Sequence, residues 1–185
     1  MKFFLFLCLL GLALVSLLEF ISCDTLTDTC KKLSDSDPKN LSTEFCVTTL
    51  QVNPDSMTAD LHGLGVISLN LAIANATYVK SQFQKVLDEQ KKPGGNIELS
   101  KSCEVCVEAY SLGLSSLNDA VSSFESKLYY DSNIAMSAVY DSPGTCEDTF
   151  KELKLTSPLA KENSNFLQLC AIPLAITHDL SQPAN

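Results

Sequence analysis

Six cysteines, Cys30, Cys46, Cys103, Cys106, Cys146 and Cys170, are the side chains whose type most directly invites chemistry. Two of them form a C-x-x-C within "SCEVC", residues 102 to 106. Such a pair holds zinc only beside a second pair at comparable spacing, and it does redox work where a strand runs into a helix. Neither context accompanies it here. Three residues apart on a helix, both sulfurs share one face, so the pair reads as half of a disulfide plus one extra thiol. An even count in an oxidising compartment favours disulfides, but the count leaves the pairing open.

Other chemistry is thinly supplied. The only histidines, His62 and His178, lie in unlike contexts, and there is no arginine, no tryptophan and no Gly-rich phosphate loop. No Ser/His/Asp or Cys/His motif is present. The 22 acidic residues against 13 basic ones give a net charge of −9, and scattered acids usually form a solvated face. The expectation is a protein without catalytic residues, cofactor or metal. An acidic chain lacking guanidinium groups also has neither the charge nor the bidentate donors that nucleic-acid binders use.

The compartment is read from the first residues. Lys2 precedes an apolar run from Phe3 to Leu18, followed by Ser22 and Cys23, the pattern of a secretory signal peptide over residues 1–23. Cys8 and Cys23 would leave with it. No second stretch of spanning length follows, so the expected product is exported and free of the membrane. Two sequons, "NLS" at Asn40 and "NAT" at Asn75, are candidate glycan acceptors.

The elements that must position these side chains are helical. Val66, Leu69, Ile73, Ala76, Val79, Phe83 and Val86 step by three and four, one face of a helix from about Thr58 to Glu89. "KKPGGN", residues 91–96, ends it. Cys103, Cys106, Tyr110, Leu114, Leu117, Val121, Phe124 and Leu128 continue the rhythm in a second helix. A third candidate over 129–153, with Ile134, Ala138, Cys146, Phe150 and Leu153 on one side, is interrupted by Pro143. Phe166, Leu169, Ile172 or Pro173, Ile176 and Leu180 make a fourth stripe, which Pro173 should bend.

Four such stripes can be buried only against one another, so the expected fold is all-α, an antiparallel up-down four-helix bundle over 58–185. Ahead of it, "TLTDTCKKL" and "LSTEFCVTTLQ" are short helices joined by the turn "SDSDPKN", an N-terminal helical hairpin over 24–57.

The ordered blocks "TCKKLSDSDPKNLSTEFCVTTL", "NPDSMTADLHGLGVISLNLAI", "CVEAYSLGLSSLNDAV", "AMSAVYDSPGTCEDTFKE" and "SPLAKENSNFLQLCAIPLAI" resemble the plant invertase and pectin methylesterase inhibitor family, most of all its pollen-type invertase inhibitors. The likeness runs from about Asp24 to Leu180. It implies two disulfides, Cys30 to Cys46 closing the hairpin and Cys106 to Cys146 tying the second bundle helix to the third. Cys103 and Cys170 are then extra thiols, and Cys170 is expected buried and free.

The resemblance implies action by binding: a monomeric inhibitor, exported to the cell wall space more than to the vacuole, that occupies the substrate cleft of an acid invertase, which hydrolyses sucrose, or of a pectin methylesterase. Invertase inhibitors carry a Pro-Lys-Phe segment between the second and third bundle helices. This chain has "FESKLYYDSN" there, keeping the lysine as Lys127, with Leu128, Tyr129 and Tyr130 as an apolar plug. Methylesterase inhibitors carry more acid along the second helix, of which Glu108 and Asp119 remain. These six are the candidate target contacts, and invertase is the preferred partner. A cell-wall or pollen protein known chiefly through antibody binding, and a ligand carrier, are the other readings.

Overall fold

The computed structural model describes residues 26 to 182. The segment read as an export signal, residues 1–23 with Cys8 and Cys23, lies outside the described residues. Those described are helix and turn, with no strand among them, and none of their helices is long and apolar enough to cross a membrane.

Two short helices come first, α1 over 26–36 and α2 over Thr43–Leu50. Leu26, Cys30 and Leu33 recur at helical spacing on the buried side of α1, facing the same core as Cys46 and Leu50 of α2. Cys30 and Cys46 are bonded, their Cα atoms 5.6 Å apart. Ser42 starts α2 by accepting the Phe45 amide hydrogen at 3.1 Å, which satisfies one of the amides a helix start leaves bare. Lys32 reaches Asp179 at 2.7 Å, tying α1 to the far end of the chain.

After a 3-10 turn at Pro54–Met57, α3 runs over Leu61–Gln90 and α4 over Ile97–Glu125. Asp60 caps α3 by accepting the Gly63 amide at 2.7 Å, and Asn96 caps α4 through the Glu98 and Leu99 amides. Between them Gly94 adopts φ +86°, a conformation that costs a residue with a Cβ. The burial of α3 follows Leu64, Leu69, Ala72, Ala76, Val79, Phe83 and Leu87, with Val66, Ile73 and Val86 half-buried at its margin.

The third segment divides where the sequence interrupts it. Helix α5 covers Tyr129–Tyr140 and α6 covers Ser142–Glu152. Pro143 cannot donate to the carbonyl four residues back, and the two helices meet at Asp141. The expected buried side is corrected: Ile134 is 55% exposed and Ala138 exposed, while Ser132, Met136 and Val139 face inward. Ser132 can be buried because its hydroxyl donates to the Ala120 carbonyl at 2.8 Å. Leu153 is also partly exposed, at the end of α6.

Helix α7, Ala160–Ser181, runs continuously through Pro173. Beside the proline, Asn133 of α5 donates to the Leu174 carbonyl at 2.9 Å and to Thr177 Oγ1 at 2.8 Å. These bonds lock α5 to α7.

Helix α4 packs chiefly on α3, α5 and α6, and α7 closes against α3 and α5. Their shared core holds a run of rings: Phe83 lies 6.2 Å from Tyr110 and 6.3 Å from Phe150, and Tyr110 lies 5.2 Å from Phe166, centroid to centroid. The Tyr110 hydroxyl donates to Asn163 Oδ1 at 2.7 Å, so its burial leaves no orphan. Asn163 in turn donates to Glu147 and toward the Cys146 sulfur. Cys106 and Cys146 join α4 to α6. In the chain-entropy account the two disulfides, spanning 16 and 40 residues, stabilise by about 3 and 4 kcal/mol. Cys103 and Cys170 are free and buried.

Candidate docking corner

Three elements meet at one end of the molecule. Helix α4 ends there in a double hydrogen bond: Lys127 N–H donates to the Phe124 carbonyl at 2.9 Å, and Leu128 N–H donates to the Ser123 carbonyl at 2.8 Å. This pattern turns the chain sharply and requires a left-handed residue at its pivot. Lys127 fills that place at φ +58°. Helix α5 begins two residues later, with Leu128 at its cap position and no side chain bonding the first amides.

The turn throws two apolar side chains outward. Leu128 is 54% and Tyr130 68% exposed, whereas Tyr129 between them is half-buried. Leu128 thus leaves the α4 stripe it was expected to continue, because the helix stops at Glu125. Lys127 to Asp131 line a shallow depression of about 290 Å3, completed by Leu180 and Ser181 from the end of α7.

Beneath the corner lies an aromatic cluster. Tyr129 packs edge-on to Phe124 at 5.2 Å, and His62 from the first turn of α3 stacks on Phe124 at 4.8 Å with the planes 11° apart. The Tyr129 hydroxyl lies 3.2 Å from His62 Nδ1. Gly65, one turn along α3, makes room: a Cβ there would stand 2.2 Å from the Phe124 ring.

Of the six candidate contacts, Lys127, Leu128, Tyr129 and Tyr130 are brought together here. Glu108 and Asp119 are exposed on α4, eleven residues apart and so on one face of the helix. At about 1.5 Å per residue, Asp119 is about 9 Å and Glu108 about 25 Å from the last turn of α4. Glu108 therefore stands well away from the corner. The sequence shows His62 only as an isolated histidine and Leu180 only as the end of the fourth stripe, and it gives no sign of Ser181, since nothing local in the chain marks residues joined across such separations.

The remaining candidates lie elsewhere. Asn40 is half-buried, its amide donating to both Asp37 carboxylate oxygens at 3.0 and 3.2 Å. Asn75, midway along α3, lines a groove with Phe45, Val52, Leu71 and Leu169, its Oδ1 buried without a partner. Burial pushes the Cys103 thiol up to about 11 and drives Cys170 further in the same direction. Thiols that hold their protons so tightly are poor nucleophiles and poor metal ligands. Among the described residues, no three His, Cys, Asp or Glu side chains cluster in a way that could hold a metal.

Known proteins match this chain along most of its length. The family model described as plant invertase/pectin methylesterase inhibitor matches residues 24–176. A "Putative invertase inhibitor" of Platanus acerifolia is 42% identical over 179 residues, covering 96% of this chain and 97% of that protein. A protein of the same description from Platanus orientalis is 43% identical over 158 residues, 85% of this chain and 90% of that one. "Pectinesterase inhibitor 12" of Arabidopsis thaliana is 36% identical over 153 residues, 83% and 86% of the two chains. A crystal structure of a mutant pectin methylesterase inhibitor from Arabidopsis superposes with a TM-score of 0.68 at 24% identity, covering 83% of this chain and 99% of that one, a likeness of fold. These relatives are named as inhibitors of enzymes, not as enzymes, and this chain belongs to the plant invertase/pectin methylesterase inhibitor family.

Proposed function

We propose that the protein is an exported, monomeric inhibitor of plant acid invertase that docks its α4–α5 corner into the enzyme's substrate cleft. In this reading residues 1–23 are removed on export, residues 24–57 form a helical hairpin, and α3, α4, the α5–α6 segment and α7 are the four members of an up-down bundle over 58–185. The observation that carries the reading is Lys127, held in the left-handed region at φ +58° with exposed Leu128 and Tyr130 beside it. Lys127 is itself exposed, so the turn offers a cation beside two apolar side chains on one surface. The names of the two Platanus relatives point to the same target. A rigid corner on packed helices loses little entropy on docking.

A second reading rests on a different surface. Glu104, Glu108 and Asp119 lie along the exposed side of α4, an acidic stripe that suits a pectin methylesterase. Relatives named as pectinesterase inhibitors add weight to it. Titrating a plant acid invertase and a plant pectin methylesterase with purified protein separates the two. The invertase reading expects sucrose hydrolysis to fall to zero near one equivalent while methanol release from pectin is unchanged. The opposite pattern establishes the second reading, and no effect on either enzyme removes both.

A further inference from the structure

We infer that His62 is a positioning residue for the docking corner, setting the direction of Leu128 and Tyr130 through its contact with Tyr129. The inference rests on the reading above that the corner docks.

The first turn of α5 lacks the usual means of fixing its own direction. Helices α2, α3 and α4 each start at a side chain that accepts a backbone amide: Ser42, Asp60 and Asn96. At α5 the corresponding residue is Leu128, which has nothing to offer. Helices α6 and α7 also start without such a cap, and two backbone hydrogen bonds hold the turn itself; at α5 a side chain of α3 adds a hold on the first helical residue. His62 lies flat on Phe124 and brings Nδ1 to 3.2 Å from the Tyr129 hydroxyl. The tyrosine O–H donates when Nδ1 is the bare ring nitrogen.

Tyr129 is the one inward-facing residue of the three that follow Lys127, so its placement fixes its neighbours. Leu128 and Tyr130 flank it in sequence and point away from it, both more than half exposed. With Tyr129 pinned both by its ring against Phe124 and by its hydroxyl at His62, the two outward side chains have fixed directions before any partner arrives. That is preorganisation, and it acts on affinity without His62 touching the partner. Leaving the hydroxyl unpinned frees the tyrosine to swing about Phe124, and the corner swings with it.

Three variants separate positioning from mere stability. His62→Phe keeps a ring to stack on Phe124 but removes the acceptor; His62→Asn keeps an acceptor near the place of Nδ1 but removes the ring; Tyr129→Phe removes the donor. The readouts are inhibition of acid invertase and the thermal midpoint of each protein alone. His62→Phe and Tyr129→Phe should each weaken inhibition by about fivefold at a thermal midpoint equal to that of the unmodified protein. The double variant should lose no more than either alone, and His62→Asn should recover most of the inhibition. The inference is overturned if His62→Phe inhibits as well as the unmodified protein, if the losses multiply in the double variant, or if inhibition follows the thermal midpoint across the series. If the unmodified protein inhibits no invertase, the docking reading falls, and this inference with it.

Discussion

Lys127 and Lys154 occupy the same backbone position at the ends of two different helices. Each sits just past its helix in the left-handed region, at φ +58° and +55°. Each is followed by a leucine whose N–H reaches back five residues at 2.8 Å, Leu128 to Ser123 and Leu155 to Phe150. The two turns are alike in geometry, so they separate what a lysine costs the fold from what it does for a partner. Replacing either by glycine relieves the left-handed penalty and should stabilise the protein by about 0.5–1 kcal/mol, the gain being offset in part by glycine's greater freedom when unfolded. Thermal unfolding should show this for both variants. Only Lys127→Gly should lose inhibition, and equal inhibition by the two variants would deny Lys127 its role.

Two glycines make a second contrast. A methyl group at Gly65 would collide with the Phe124 ring, whereas one at Gly144 meets nothing within 4 Å. Gly65→Ala should destabilise by about 1–3 kcal/mol, as overpacking does, and it should weaken inhibition because Phe124 carries both His62 and Tyr129. Gly144→Ala, inside α6, should stabilise by about 0.5–1 kcal/mol and leave inhibition alone. Urea denaturation of the two variants measures both signs.

The buried polar link between α4 and α7 predicts a loss without a change of shape. Tyr110→Phe would leave Asn163 Oδ1 without its donor at 2.7 Å, deep in the core. The cost should be about 1–3 kcal/mol, seen as a lower urea midpoint at unaltered slope. Far-ultraviolet dichroism and inhibition in the absence of denaturant should not change.

Alkali should unfold the protein in stages that trace to named groups. Burial pushes the Cys103 thiol up to about 11, carries Cys170 beyond that, and lifts the Tyr110 hydroxyl far above a phenol's ordinary value. An acid with a raised folded pKa keeps its proton in the native state while the unfolded chain gives its own up. Its contribution to stability is whole below the unfolded values, about 8.5 for a thiol and about 10 for a phenol, and it drains as pH rises through the folded ones. Denaturation midpoints should therefore fall from about pH 8.5 upward. Replacing both thiols, Cys103→Ala with Cys170→Ala, should flatten the first part of that fall. In the folded protein at neutral pH neither thiol should react with a maleimide, and both should react once it is unfolded.

Much of the fold was legible because the signals are local. The helix expected from about Thr58 to Glu89 is Leu61–Gln90, the glycine turn follows it, and Pro143 divides the third segment. The buried side of that segment was legible in its second half, at Cys146 and Phe150, and not in its first. A stripe drawn through Ile134 and Ala138 follows apolar residue types, whereas the buried positions run Ser132, Met136, Val139, Pro143, Cys146 and Phe150, in steps of three and four across the junction at Asp141. Ser132 then takes an inward place because an α4 carbonyl satisfies its hydroxyl. The corner was half legible: Lys127 to Tyr130 stood out as a run between helices, while His62 lies more than sixty residues away and carries no mark of its partner. Only the packing of the start of α3 on the end of α4 joins them.

Entry of the α4–α5 corner into an invertase cleft is open to direct test. A photoreactive side chain placed at position 128, and separately at position 108, tests it in equimolar mixtures with acid invertase and with pectin methylesterase. Capture of invertase from position 128 and none from position 108 is expected, with the methylesterase uncaptured by either. Capture from position 108 alone, or capture of the methylesterase instead, would contradict it.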